Sequence, residues 1–70
     1  MTYVPRRLIE WRVGHNFTVG AADHEIEAFI RDWAKTAGYG EPVATAWVRH
    51  AIECHRRNQA AADYASGRIK

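Results

Sequence analysis

Four histidines and one cysteine are the side chains in this sequence best suited to catalysis: His15, His24, His50, His55 and Cys54. His50 and Cys54 are four residues apart, a spacing that places both on one edge of a helix, where a histidine could activate a thiol nucleophile. No recognisable catalytic motif surrounds them, and a cysteine on an apolar helix face is more often a small core residue. We therefore predict no enzymatic activity and no small-molecule substrate.

The same side chains are poor candidates for a metal centre. Structural zinc normally takes four ligands from cysteines and histidines at short, regular spacings. One cysteine and scattered histidines provide no such spacing. The Gly38-Tyr39-Gly40 segment is better explained as a helix stop than as a phosphate-binding loop. We expect no metal and no other cofactor.

Arginines are the second group of side chains that could have a functional role, because they can bind phosphate. Basic residues cluster on the predicted solvent side of a C-terminal helix and near the N-terminus: Arg49, Arg56, Arg57, Arg6 and Arg7. Such a distribution is typical of a nucleic-acid-binding surface. A small helix-turn-helix-like DNA-binding regulator that uses these five arginines is therefore the alternative function, with nucleic acid as the alternative partner.

The arginines also have a simpler explanation. Arg49, Glu53 and Arg57 follow one another at four-residue spacing, which is typical of a solvated ion-pair ladder on a helix. The net charge of the chain is only +2, and residues 23–41 carry five acids against two bases. These features weaken the DNA-binding hypothesis.

Tryptophan is frequent in this chain, with Trp11, Trp33 and Trp47 among 70 residues. All three could fill the core, or one could remain at the surface, where Trp and Arg are typical interface anchors. Our first hypothesis is a small protein-interaction module whose partner-binding surface is formed by Trp47, Arg49, Arg56 and Trp11.

Chain length bears on how such a module is stabilised. A domain of 70 residues buries a small share of its surface, and a single cysteine excludes an internal disulfide. Self-association is the remaining way to stabilise so small a domain, so we expect a homodimer. The Arg- and Ala-rich composition suggests a high-GC coding sequence and favours an accessory protein of a phage or mobile element that binds a host protein.

Hydropathy bears on the compartment. No segment approaches the roughly 20 apolar residues that span a bilayer. The N-terminal run Met-Thr-Tyr-Val-Pro-Arg-Arg is not followed by an apolar stretch of signal-peptide type. We predict a cytoplasmic protein with no membrane partner.

The elements that must position these side chains are clearest in the last two thirds of the chain. Apolar residues recur there at steps of three and four, which predicts an amphipathic helix over residues 23–37: Ile26, Phe29, Ile30, Trp33 and Ala37. Pro42 suits a first helical turn and no further Pro or Gly occurs before Gly67. We predict a longer helix over residues 42–66, with a C-terminal third that overhangs its partner, and a frayed tail over residues 67–70.

Residues 1–22 permit two interpretations. As strands, Ile9, Trp11 and Val13 would alternate into the core, and a turn after Val13 would return Phe17 in a short antiparallel strand. We favour this β-hairpin. The predicted fold is accordingly a single α+β domain over residues 1–70, mainly helical, with a two-helix hairpin after the β-hairpin.

The alternative is an all-α three-helix fold. A helix from Pro5 to Val13, stopped at Gly14, would place Arg12 between Leu8 and Ile9 on its apolar face. A charged residue in that position is a poor amphipathic pattern.

Overall fold

The computed structural model describes residues 3–18 and 20–67, which form three α-helices. These are α1 (Arg6–Asn16), α2 (Asp23–Thr36) and α3 (Glu41–Ala65). No strand occurs in this part of the chain, so the all-α three-helix alternative is confirmed and the N-terminal β-hairpin is not formed. The predicted frayed tail, apart from Gly67, lies outside the described residues.

Helix α2 forms where the apolar periodicity predicts it and buries Ile26, Ile30 and Ala34. The backbone N–H of Ala22 donates a hydrogen bond to the carboxylate of Glu25, which caps the start of the helix. The helix stops before Gly38, whose φ of 94° lies in the left-handed region that favours glycine. The predicted helix over residues 23–37 is therefore correct to within one residue.

Helix α3 is the central element, because both other helices pack against it. It has 25 residues, about 37 Å at 1.5 Å per residue. His55 is its last buried residue, so the C-terminal part extends past the core. The core combines residues from all three helices: Ile9, Val13, Ile26, Ile30, Ala34, Ala44, Trp47, Val48, Ala51 and Cys54. No helix in the described ranges is long and apolar enough to cross a membrane.

Helix α1 replaces the predicted hairpin and continues through Gly14 to Asn16. It buries Ile9 and Val13, one helical turn apart, while Trp11 between them points outward. Arg12 lies on the side towards α2, with its guanidinium carbon 4.3 Å from the centre of a Trp33 ring. This cation–π contact explains why a charged residue is tolerated beside the buried face of the helix.

Aromatic side chains close one end of the helical bundle. The Trp47 ring lies 4.9 Å from Trp33 and 5.1 Å from Tyr39, measured between ring centroids. Tyr3, in the segment before α1, stacks on Tyr39 and places its edge towards Trp47. The N-terminal segment is thereby held against α3.

Candidate binding surfaces

Trp47, which the sequence suggested as a partner anchor, is a core residue. It is 2% exposed, and its indole Nε1–H donates a hydrogen bond of 2.9 Å to the backbone carbonyl of Tyr3. A buried indole usually has such a partner for its N–H. A residue that anchors a partner must be exposed at the surface, and Trp47 is not. Trp47 is therefore removed from the predicted partner-binding residues.

Trp11 lies on the opposite side of α1 from the buried residues and is 60% exposed. Its ring stacks on His15 at 4.8 Å between centroids, and Leu8, one turn earlier, is 47% exposed. We call Leu8, Trp11 and His15 the α1 outer face. Leu8 and His15 were not among the predicted partner-binding residues, because they align with Trp11 only when the segment is a helix.

Four exposed arginines form a second surface, which we call the α3 basic surface: Arg6, Arg49, Arg56 and Arg57. A groove of about 540 Å³ is lined by Arg6, Arg56 and Arg57 together with His50 and Glu53. Arg6 and Arg49 border an adjoining groove of about 180 Å³. The structure therefore brings together four of the five arginines of the alternative nucleic-acid set; Arg7 is exposed on α1 but lines neither groove.

The ion-pair ladder expected on α3 is not formed. Within residues 3–18 and 20–67, Glu53 makes no ion pair with Arg49 or Arg57, and neither arginine has another acidic partner. Arg56 does have a partner, because its guanidinium lies 3.0 Å from the carboxylate of Asp23 on α2. Both side chains of that pair are largely exposed, so the pair contributes little stability.

The cations of α2 are neutralised at the junction between α2 and α3. Arg31 and Lys35 both pair with Glu41, and the Lys35 ammonium lies 2.9 Å from its carboxylate. The hydrogen bond from Lys35, with the charges of both cations, holds the pKa of Glu41 below its ordinary value. Within residues 3–18 and 20–67, the cations without an acidic partner are Arg49 and Arg57 on α3 and Arg6, Arg7 and Arg12 on α1.

Two of the four histidines, His50 and His55, and the cysteine have structural positions. His50 Nε2 lies 3.0 Å from the Glu10 carboxylate, which links α3 to α1. His55 is buried, and its Nε2–H donates a hydrogen bond of 2.9 Å to the carbonyl of Ala21. Cys54 is buried in the core, as the sequence indicated. In the described part of the chain, no three metal-ligating side chains come together.

The chain matches no protein-family model, no curated protein and no solved structure. A functional assignment must therefore rest on the two surfaces described above. They divide the predicted partner set, because Trp11 lies on α1 whereas Arg49 and Arg56 lie on α3.

Proposed function

We propose that this protein is a small, non-enzymatic interaction module that binds another protein through the α1 outer face. The observation that carries the proposal is the exposure of Trp11 beside Leu8 on one side of a helix. Burying apolar surface contributes about 25 cal/mol per Å², so covering these two side chains would favour a complex. Tryptophan is also among the residues most enriched at the energetic centres of interfaces.

The charge around the α1 outer face indicates the chemistry of the partner. The exposed charged side chains of α1 next to it are Arg6 and Arg7, at the start of the helix. The acid of the helix, Glu10, is engaged by His50. A partner with an apolar pocket and acidic residues at its rim would complement this arrangement.

A homodimer belongs to the same proposal and uses a different segment. Beyond His55, α3 exposes Ala60, Ala61 and Ala65, and Tyr64 is 76% exposed. Small residues permit close approach of a second helix, and Tyr64 would supply the apolar contact. The origin in a phage or mobile element and the cytoplasmic location rest on the sequence alone and stay predictions.

The partner-binding surface is tested by capture from a lysate with the wild-type chain, Trp11→Ala and the control His24→Ala, which removes an exposed ring outside both proposed protein contacts. We expect a protein retained by the wild type and by His24→Ala to be lost with Trp11→Ala, while circular dichroism shows all three folded. A partner retained equally by Trp11→Ala would contradict the proposal.

The dimer is tested separately by sedimentation equilibrium over a range of concentrations. We expect the wild-type chain to approach twice the monomer mass and Ala61→Glu to remain a monomer. Ala28→Glu, which places the same charge on the exposed side of α2, should dimerise like the wild type. A wild-type chain that stays monomeric would remove the homodimer from the proposal and leave the α1 outer face untouched.

A further inference from the structure

The protein contact proposed above uses Arg6 but none of the other arginines of the α3 basic surface. Arg6, Arg49 and Arg57 have no acidic partner within the described ranges. Arg31, by contrast, is engaged by Glu27 and Glu41. Three of the arginines without an acidic partner therefore lie together on one surface of a chain whose net charge is only +2. Such a surface raises the local concentration of polyanions.

We propose that the α3 basic surface binds the sugar–phosphate backbone of a nucleic-acid duplex. Guanidinium groups donate paired hydrogen bonds to phosphate oxygens and keep their charge at all physiological pH values. Arg49 and Arg57 are eight residues apart, which is about 12 Å along a helix axis. A B-DNA strand carries one phosphate per about 3.4 Å of axis, so this surface spans three to four phosphates.

The composition of the surface disfavours other polyanions. The residues lining its two grooves include no Leu, Ile, Phe, Tyr or Trp. A helix that lies on a membrane inserts side chains of that kind, and the centre of a protein interface is also enriched in them. Binding of single strands relies on aromatic side chains that stack on the bases. Its apolar lining is limited to Val4 and Ala46 in the smaller groove, and its one ring, His50, lies against Glu10. The surface therefore offers mainly cations, which suits a duplex backbone.

Glu53 allows a test in which a substitution should strengthen duplex binding instead of weakening it. It lies among the arginines, lines both grooves and is exposed. Within the described residues it has no ion-pair partner, so it is not needed to hold an arginine in place. A bound phosphate would be repelled by its carboxylate, and Glu53→Gln should therefore strengthen binding.

The experiment measures binding of the full chain to a labelled duplex of arbitrary sequence, about 20 base pairs long, by fluorescence anisotropy at salt concentrations from about 25 to about 200 mM. We expect the slope of log K against log salt to be about −3, from three to four phosphates at about −0.9 each. The double variant Arg49→Gln/Arg57→Gln should flatten this slope by about 2 and weaken binding at least about tenfold at low salt.

The matched control is Lys35→Gln/Ala28→Glu, which changes the net charge by the same amount on exposed positions of α2. We expect it to bind the duplex within about threefold of the wild type, because its changes lie away from the contact. Trp11→Ala should also leave duplex binding unchanged, which separates this inference from the proposed protein contact. Glu53→Gln should bind several-fold more tightly.

Several results would overturn the inference. These are no duplex binding at the lowest salt, an equal loss in the α2 control, or equal affinity for a single strand of the same length. Binding to vesicles that contain phosphatidylserine, with the same dependence on Arg49 and Arg57, would assign the surface to a membrane instead. Circular dichroism of each variant establishes that the fold is retained.

Discussion

Helices α1 and α2 both pack against α3, but by different means. Helix α2 buries three residues in one continuous stripe, Ile26, Ile30 and Ala34. Helix α1 buries only Ile9 and Val13. The packing of α2 is therefore visible as apolar periodicity in the sequence, and most of the packing of α1 is not.

Polar contacts supply what α1 lacks in apolar surface. Arg12 covers a ring of Trp33, and Glu10 approaches His50 of α3. Neither contact can be recognised from the apolar pattern of the sequence, because each joins two residues that become neighbours only in the folded chain. The difference indicates that polar contacts add to the packing of Ile9 and Val13 in fixing this short helix, although its sequence pattern argues against it.

The largest expected effect concerns the apolar packing of α2. Ile30→Ala should lower the free energy of unfolding by about 3 kcal/mol, because it leaves a cavity in a fully buried site. For a chain of this length, that is a large part of the total stability. Urea denaturation followed by circular dichroism measures the change. Leu8→Ala, on the exposed side of α1, is the control and should change stability by less than about 0.5 kcal/mol.

The next effect concerns the charged contact of α1. Arg12→Ala should destabilise the fold by about 1 to 2 kcal/mol, because it removes both the cation over Trp33 and an apolar stem. Arg12→Met separates the two terms, since it keeps an unbranched stem without the charge. We expect Arg12→Met to recover only part of the loss in urea denaturation. Full recovery would show that α1, like α2, is held by packing alone.

A smaller, pH-dependent effect tests the junction of α2 with α3. The pKa of Glu41 is held below its ordinary value of 4.5 by Lys35 and Arg31, so the folded chain binds a proton there less readily than the unfolded chain. Its stabilising contribution is complete above the ordinary pKa and is lost as pH falls through the lowered pKa.

Thermal denaturation between about pH 6 and about pH 3 measures this contribution. Glu41→Gln should show a shallower decline of Tm with falling pH than the wild type. Glu53→Gln is the control, because Glu53 has no ion-pair partner in the described part of the chain, and it should follow the wild-type profile. An identical decline for Glu41→Gln and the wild type would show that the junction does not depend on this carboxylate.

The same physical difference explains what could be predicted from the sequence. Helices α2 and α3 were predicted to within one residue at each end, because wide apolar faces fix their periodicity. Helix α1 was not, since Ile9 and Val13 are four apart and share a face in a strand as well as in a helix. Trp11 decides between the two: a strand would bury it with them, and the helix exposes it.

The candidate surfaces were predictable in part for a related reason. Arg49, Arg56 and Arg57 follow from the periodicity of α3, and their solvent exposure is as expected. Their position beside Arg6 depends on how α1 packs, which the sequence did not reveal. Residue type alone could not separate a buried Trp47 from an exposed Trp11.

The smallest expected effect on stability concerns the exposed side of α1. Trp11→Ala should change the free energy of unfolding by less than about 0.5 kcal/mol, because the indole is largely in water and packs mainly on His15. Its removal should nevertheless shift the tryptophan emission of the folded chain to shorter wavelength, since the indoles that remain are Trp33 and the buried Trp47. Trp33→Phe is the control, and it should cost stability because it replaces the indole that packs under Arg12 and against Trp47 with a smaller ring. If Trp11→Ala destabilised the fold as much as Trp33→Phe, its side of α1 would be part of the core packing, and the surface proposed to bind a partner would not be free to do so.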